Sequence, residues 1–211
     1  LLAGFDPADL HGCVVTVDAM HTQDDTAAAI LAAGAHYVFT AKGNRPTLLK
    51  ALKSLPWAKV PIGSTLTDRS HGRHATRTIK VIDVPALPRW PQFTGVAQVA
   101  QLRRTVTRAG KKSVEVTYVI TSAPYHQAPP ATLAAWVKGH WAIENQLHWV
   151  RDVTYDEDRS QVRTGAGPHV MASLRNTAIG LLRLAGWTNI AAALRHHARN
   201  PEGAITCALN C

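Results

Sequence analysis

The sequence predicts an α/β protein, with a mixed sheet and covering helices, an antiparallel β insert and a C-terminal helical segment. Three observations predict this class. Short β-branched runs alternate with helical patterns at the start of the chain, the apolar period then changes to two, and helical patterns fill the rest. We therefore expect four parts, namely a first core segment at 1–59, the β insert at 60–124, a core helix segment at 125–163 and C-terminal helices at 164–211.

The first part is predicted to run strand, helix, strand, helix. In order, the elements are a strand at 13–17, an Ala-rich helix from Thr22 or Gln23 to Ala33, a strand at 36–40, a tight turn at 42–46 and a helix at 47–55. Each strand is a β-branched or aromatic run bounded by turn residues. The order implies a partly parallel sheet covered by helices. Asp18 is then expected at the C-terminal end of a buried strand.

The basic residues are concentrated in the middle of the chain, which has a net charge of +9. Residues 42–112 carry fifteen Lys or Arg against two acidic residues, whereas residues 1–41 carry five acidic residues and no Lys or Arg. Such a block is the electrostatic footprint of a polyanion, and a solvated basic surface is the alternative. Within it, 108–112 is predicted to be an exposed hairpin tip that suits a DNA backbone.

The composition argues against a membrane protein and against a disulfide-stabilised secreted protein. No apolar run reaches the roughly 18 residues of a membrane span. Three cysteines form neither an even framework nor a CxxC pair, which suits a reducing cytosol. The first residues contain no Met and no basic segment, so we expect no signal peptide and a cut through a longer protein.

A long helix is predicted from Pro129 and Pro130 onwards, and helices at 169–185 and 189–199 follow a turn at 164–168. At 100° per residue, one face of the long helix carries four polar side chains within about 80°, which are His140, Glu144, His148 and Arg151. An amphipathic core helix with solvated charges is the alternative. Trp141 and Trp149 either pack in the core or stack on an unpaired base.

Asp18 and Glu144 invite a joint interpretation as ligands of one metal site. Mg²⁺ favours one or two protein carboxylates together with waters and substrate phosphate oxygens. Two such ions about 4 Å apart can activate a nucleophile and stabilise the leaving oxygen of a phosphodiester displacement. A zinc site on His140, Glu144 and His148 is the alternative for this part of the sequence.

Three stretches of the chain resemble, in order and spacing, the C-terminal two-thirds of the DDE transposases of bacterial insertion sequences, of the ISAs type. They are Val14-Val15-Thr16-Val17-Asp18-Ala19-Met20-His21-Thr22-Gln23, then Tyr37-Val38-Phe39-Thr40-Ala41-Lys42-Gly43-Asn44, then His140 to Arg163 with Asp156-Glu157-Asp158. The resemblance implies an RNase H-like core, incomplete here, in which three carboxylates bind Mg²⁺ for DNA cleavage and strand transfer. Mn²⁺ can substitute in this role.

Two of the three carboxylates have counterparts in this chain. Asp18 matches the second catalytic Asp of the family, and Glu144 matches its catalytic Glu. The first catalytic Asp has none, because Asp6 and Asp9 do not match its motif, so we expect this fragment to be inactive in isolation. Ala75 also departs from the pattern, which has an acidic residue at that position.

The resemblance also implies a DNA interface and partners. The expected DNA-binding residues are Lys42, Arg45, Arg73, Lys111, Lys112, His140 and Arg151. For residues 42–45 an ordinary turn is the alternative, and Asp156-Glu157-Asp158 is expected to cap a helix or face solvent. The expected partners are double-stranded DNA of insertion-sequence ends and targets, and a second copy on that DNA, in the nucleoid of a bacterial cytoplasm. A catalytically dead DNA-binding remnant is the alternative function.

Overall fold

The computed structural model describes residues 6–70, 73–84, 93–143 and 147–209. Its contacts divide the chain into two compact units, Leu1–His140 and Trp141–Cys211. The first unit is built on a six-stranded mixed sheet and the second is helical. This confirms the predicted α/β class, and the mixed sheet with its covering helices is an incomplete RNase H-like fold. The four-part division of the chain stays a prediction.

The sheet joins the predicted core strands and the predicted insert in one layer. Its strands are β1 (Val14–Val17), β2 (His36–Ala41), β3 (Ser64–Ser70), β4 (Arg73–Asp83), β5 (Gln98–Arg108) and β6 (Lys111–Thr121). Their spatial order is β1-β2-β6-β5-β4-β3. β1 and β2 are parallel and every other neighbouring pair is antiparallel. The last strand of the insert therefore returns to the core and pairs with β2.

Helices flank the sheet or follow it in the chain. They are α1 (Pro7–Leu10), α2 (Asp24–Ala32), α3 (Pro46–Ser54), α4 (Pro130–Ile143), α5 (Gly167–Leu184), α6 (Ile190–Arg199) and α7 (Pro201–Leu209). Pro46 begins α3, where its missing N–H costs no hydrogen bond. Gly34 ends α2 with φ of +71°, and a Cβ there would lie 2.7 Å from the ring of His11. No helix among the described residues is long and apolar enough to cross a membrane.

The core part of the sheet is packed on both faces. On one face α2 and α3 bury Ile30 and Leu52 against Phe39 of β2. On the other face α4 buries Leu133 against Val119 of β6 and other strand residues. This two-sided packing explains why β2 is a nearly continuous apolar run rather than an alternating one.

The antiparallel insert and its hairpin tip are confirmed. β5 and β6 are joined by Ala109 and Gly110, whose φ angles are +47° and +75°, and Arg108 pairs with Lys111 across this turn. Two successive positive φ values are typical of a two-residue hairpin turn, and the backbone twist of such a turn matches the right-handed twist of the flanking strands. One detail of the insert was wrong, because Val84 lies just after β4 instead of within a strand.

The second unit contains α5, α6 and α7 around a small core that includes Val150, Ile179 and Ala193. The predicted turn at 164–168 is wrong at its end, because α5 begins at Gly167 with Pro168 in its first turn. Val150–Thr154 is π-helical, so the assumed 100° per residue does not apply within this segment. The common polar face of His140, Glu144, His148 and Arg151 stays a prediction, because Glu144 lies outside the described residues.

Candidate functional site

Asp18 lies directly after β1, as the sequence predicted, and its carboxylate is exposed. Its Oδ1 accepts a hydrogen bond of 2.7 Å from the N–H of Ala19, which caps a 3₁₀ turn at Ala19–His21. The Asp18 side chain is 61% exposed. Within the part of the chain that the structure describes, Oδ2 of Asp18 accepts no hydrogen bond. One oxygen thus orients the carboxylate, and among the described residues the other is left without a hydrogen-bond donor.

Asp18 belongs to the sheet face that α4 covers. Val14 packs in the core under α4, and Val17 packs in the core on the opposite face of the sheet. Because side chains alternate along a strand, Thr16 points to the same face as Val14. The extended backbone of Asp18, with φ of −65° and ψ of 157°, continues this alternation to the same face. Nδ1 of His140, in the last turns of α4, lies 3.2 Å from Oγ1 of Thr16. α4 is therefore tied to the strand that ends at Asp18.

Two buried or half-buried contacts fix the turn that follows Asp18. Asn44 donates from Nδ2 to the carbonyl of Ala19 at 2.5 Å. Thr22, which is fully buried, donates from Oγ1 to the carbonyl of Thr40 at 2.9 Å. Both contacts connect the Asp18 turn to β2 and to the segment after it. The predicted turn residue Asn44 therefore has a positioning role that the sequence did not indicate.

Lys42 lies next to the Asp18 carboxylate. Its Nζ is 3.9 Å from Oδ1 of Asp18, and both side chains are more than 60% exposed. An ion pair so exposed is weak, because water screens it and the long side chain loses entropy. The pair therefore contributes little to stability, and both charged groups remain accessible to solvent.

Arg45 is held by a structural network at the start of α3. Its guanidinium donates to Oδ2 of Asp24 at 2.7 Å and to Oε1 of Gln23 at 2.9 Å, and it lies 5.5 Å from the ring centre of Phe93. Asp24 also accepts two bonds from Thr94. Burial raises the pKa of Asp24, but the bonds from Arg45 and Thr94 outweigh it and lower the pKa overall.

Arg45→Ala is expected to lower the free energy of unfolding by about 1.5–3 kcal/mol, because Asp24 loses a charge-assisted hydrogen bond. Urea unfolding of the full chain measures this change, and Lys50→Ala on the exposed side of α3 is the matched control. Weaker duplex binding with an unchanged unfolding midpoint would instead support the predicted DNA contact.

The remaining predicted residues lie outside the described residues, at the hairpin tip of the insert, or in the second unit. Glu144 lies outside the described residues, and for Arg73 the structure describes the backbone alone. Arg73 pairs in register with Arg108, which pairs with Lys111, so these positions lie side by side at one end of the sheet. Lys111 and Lys112 are both exposed. The basic tip is thus assembled from two neighbouring hairpin ends.

Arg151 lies in a cluster that the sequence did not indicate. Oε2 and Oε1 of Glu157 accept two bonds from Arg151, at 2.5 and 2.8 Å, and Oε1 accepts a third from Arg175 at 3.2 Å. The Glu157 side chain is only 18% exposed, so it does not simply face solvent as predicted. The bonds from Arg151 hold the pKa of Glu157 below its ordinary value and outweigh the effect of burial.

The fold and this arrangement define a class of protein. An incomplete RNase H-like sheet carries an exposed carboxylate at a strand end, a covering helix tied to that strand, and a basic β insert. Residues 1–181 match the family described as "Transposase DDE domain". The chain therefore belongs to the DDE transposase family, and the resemblance is confirmed at that level. The ISAs type stays a prediction.

Two of three similar curated proteins are named as putative transposases. The chain is 32% identical over 189 residues to "Putative protein YbfL" and to "H repeat-associated putative transposase YhhI", both of Escherichia coli strain K12, and the match covers 82% of this chain and 48% of each relative. It is 29% identical to "Putative transposase YncI" of Escherichia coli O157:H7, over 83% of this chain and 47% of the relative. The chain thus spans about half the length of these relatives. No solved structure matches it.

Proposed function

We propose that this chain is the catalytic segment of a transposase that cleaves and rejoins DNA at insertion-sequence ends with Mg²⁺, for which Mn²⁺ can substitute. The observation that carries the proposal is the position of Asp18 in a member of the DDE transposase family. Its exposed carboxylate follows β1, on the face of the sheet that α4 covers. A strand end is where this fold class presents polar groups to a ligand.

The donor chemistry fits a hard cation. Asp18 offers carboxylate oxygen, and Mg²⁺ needs only one or two protein carboxylates in addition to waters and substrate phosphates. The family resemblance assigns Glu144 as the second carboxylate. The zinc alternative uses His140, Glu144 and His148, of which Glu144 lies outside the described residues. The oxygen donors of Asp18 support magnesium.

The residues of the chain would orient the reactants. When bound, the ion polarises the scissile phosphate and lowers the pKa of a bound water. Asp18 would hold the ion with Oδ2 while the Ala19 N–H fixes Oδ1. Lys42 would turn from Asp18 to the phosphate and offset its charge. Asn44 would keep the Asp18 turn in place.

The proposed partner is double-stranded DNA of insertion-sequence ends and targets, with a second copy of the chain bound to it. Lys42, Lys111 and Lys112 are exposed and able to reach phosphate oxygens. Arg73 and His140 remain proposed contacts. For Arg45 and Arg151 the ion pairs described above are the better supported role, and DNA contact stays a prediction. The proposed location is the nucleoid of the bacterial cytoplasm.

A DNA-binding protein that does not cleave is the second candidate. In the described segment before β1, Asp9 lies in the short helix α1 and Asp6 just before it. Neither is on a strand, so neither takes the position that the resemblance gives to the first carboxylate of the family.

Cleavage of supercoiled plasmid by the protein made from the full open reading frame separates the two candidates. We expect nicked circles with Mg²⁺ or Mn²⁺ and intact plasmid with EDTA, because the carboxylates act only through the ion. A gel-shift assay with the same protein in EDTA is the control and should still show bound DNA. Bound but intact plasmid in Mg²⁺ would support the second candidate.

A further inference from the structure

The outer part of the β insert has two chemically different faces. Cross-strand partners point to the same side of a sheet, and residues two apart along a strand do so as well. The register therefore places Thr67, Thr76 and Thr105 in one row and Thr65 and Thr78 in the next, beside Arg103. We call this side the threonine face. Its members are Thr65, Thr67, Thr76, Thr78, Thr105, Thr107, Arg69, His74, Arg103, Lys112, Val114 and Val116.

The opposite side of the same strands carries the acidic residues. Glu115 lies there, paired with its cross-strand neighbour Arg104 at 3.5 Å, and so does Asp68 beside the buried Ala75. Ile79 and Leu102 on that side belong to the core under α4. Among the described residues of these four strands, the threonine face has no Asp or Glu. The acidic residues of these strands are thus confined to this side, which also carries Arg77, Arg104, Arg108 and Lys111, and the register is the cause.

The threonine face is accessible to a large partner. Arg69, Arg103 and Lys112 are exposed, as are Thr65 and Thr67 on the edge strand β3. Neighbouring strands lie about 4.8 Å apart and alternate residues about 6.7 Å apart, so the hydroxyls form a regular grid. Val114 and Val116, 47% and 44% exposed, add the only large apolar side chains among the described members of this face. So polar a surface is unsuited to a hydrophobic protein interface.

We propose that the threonine face docks the sugar-phosphate backbone of duplex DNA. The inference rests on the proposed function and adds to it a surface away from Asp18. Threonine hydroxyls donate hydrogen bonds to phosphate oxygens and arginine and lysine supply the neutralising charge, which are the contacts that position a protein on DNA without reading its sequence. The face carries three permanent positive charges and no acidic residue, so its charge complements a phosphate backbone.

The charge of the face is tested with Arg103→Gln combined with Lys112→Gln. The probe is a 30 base-pair duplex of arbitrary sequence, about three helical turns at roughly 10 base pairs each, bound to the full chain in fluorescence anisotropy at a series of salt concentrations. We expect the log-log salt slope to fall by about 1.8, because each lost phosphate contact removes about 0.9. Lys50→Gln combined with Lys53→Gln on α3 removes the same charge from exposed positions and should leave the slope unchanged.

The hydroxyls are tested with Thr67→Val combined with Thr105→Val, which keeps the side-chain shape and the strand propensity. We expect binding about 5 to 10-fold weaker with an unchanged salt slope, since hydrogen bonds are lost but no charge. Circular dichroism melting confirms that each variant is folded.

The possible results distinguish failure of this inference from failure of the proposed function on which it rests. If the wild-type chain does not bind the duplex, both the inference and the proposed function fail. If the wild type binds and the Arg103 and Lys112 double variant matches the Lys50 and Lys53 control, the threonine face and the proposed Lys112 contact are overturned, while the proposed function stands. A smaller salt slope in the Arg103 and Lys112 double variant, with an unchanged slope in the Lys50 and Lys53 control, supports DNA binding by the threonine face.

Discussion

Asp18→Asn is expected to lower Mg²⁺-dependent DNA cleavage by about 10³-fold or more while duplex binding is kept. A metal ligand contributes several kcal/mol to the transition state, and each 1.36 kcal/mol is about a factor of ten in rate. The amide oxygen of Asn can still accept from the Ala19 N–H, so the turn that follows β1 stays formed. Rates of plasmid nicking by the full open reading frame measure the change.

The matched control is Asp25→Asn, an exposed acidic residue in the first turn of α2. It removes the same charge from the same region, so it separates loss of a ligand from a general change in potential. A variant of Asp18 that keeps more than about a tenth of the wild-type rate would show that its carboxylate does not hold the ion. In that case a nearby carboxylate would have to replace it.

Glu157→Gln is expected to destabilise the second unit by about 2 kcal/mol. The substitution leaves Arg151 and Arg175, 25% and 11% exposed, without a carboxylate partner. For a unit of this size that corresponds to a lower melting midpoint by roughly 10 °C. Hydrogen exchange of the α5 amides in the full chain measures it, and Asp158→Asn, exposed and one residue away, is the control.

The contribution of Glu157 also depends on pH. Because its pKa is lower in the folded protein than in the unfolded chain, the stabilisation is present above roughly pH 4.3 and is lost as the pH falls through the folded value. The difference in stability between wild type and Glu157→Gln should therefore shrink in acid. Equal protection of α5 in both proteins at pH 7 would mean that the cluster contributes nothing to stability.

The core elements could be predicted because burial imposes their pattern. β1, α2, β2 and α3 were located within two residues of their observed bounds. A strand packed on both faces must be apolar throughout, and Gly34 and Pro46 mark helix ends for backbone reasons. These are local constraints, so a single sequence is enough to reveal them.

The outer strands of the insert were harder to locate. β3 and much of β5 consist of Thr, Ser, Arg and Asp, because one side is open and the other is only partly covered, so no apolar alternation appears. Their place in the sheet is fixed by register with β4, a tertiary property. The helix α7 was not predicted either, since its Pro, Gly and Thr residues favour a loop.

For the candidate site, the sequence indicated single residues but not their partners. Asp18 was predicted because it ends a strand, which is a local signal. The network of Arg45 with Asp24 and Phe93 joins residues that lie far apart in the chain. The π-helical turn at Val150–Thr154 was not predicted either, since such turns are rare. Contacts of this kind require the folded chain.

The sheet order has a kinetic consequence. β2 pairs with β6 across the whole insert, with Thr40 opposite Val119, whereas β3 to β6 are joined to their neighbours by local hairpins. Closing a long loop must be offset by the contacts made afterwards, so local pairing precedes distant pairing. The insert would then fold early, and the layer beneath Asp18 would be completed only when β6 docks on β2. The rate at which the outer strands assemble would thus limit the rate at which the part of the sheet next to Asp18 becomes rigid.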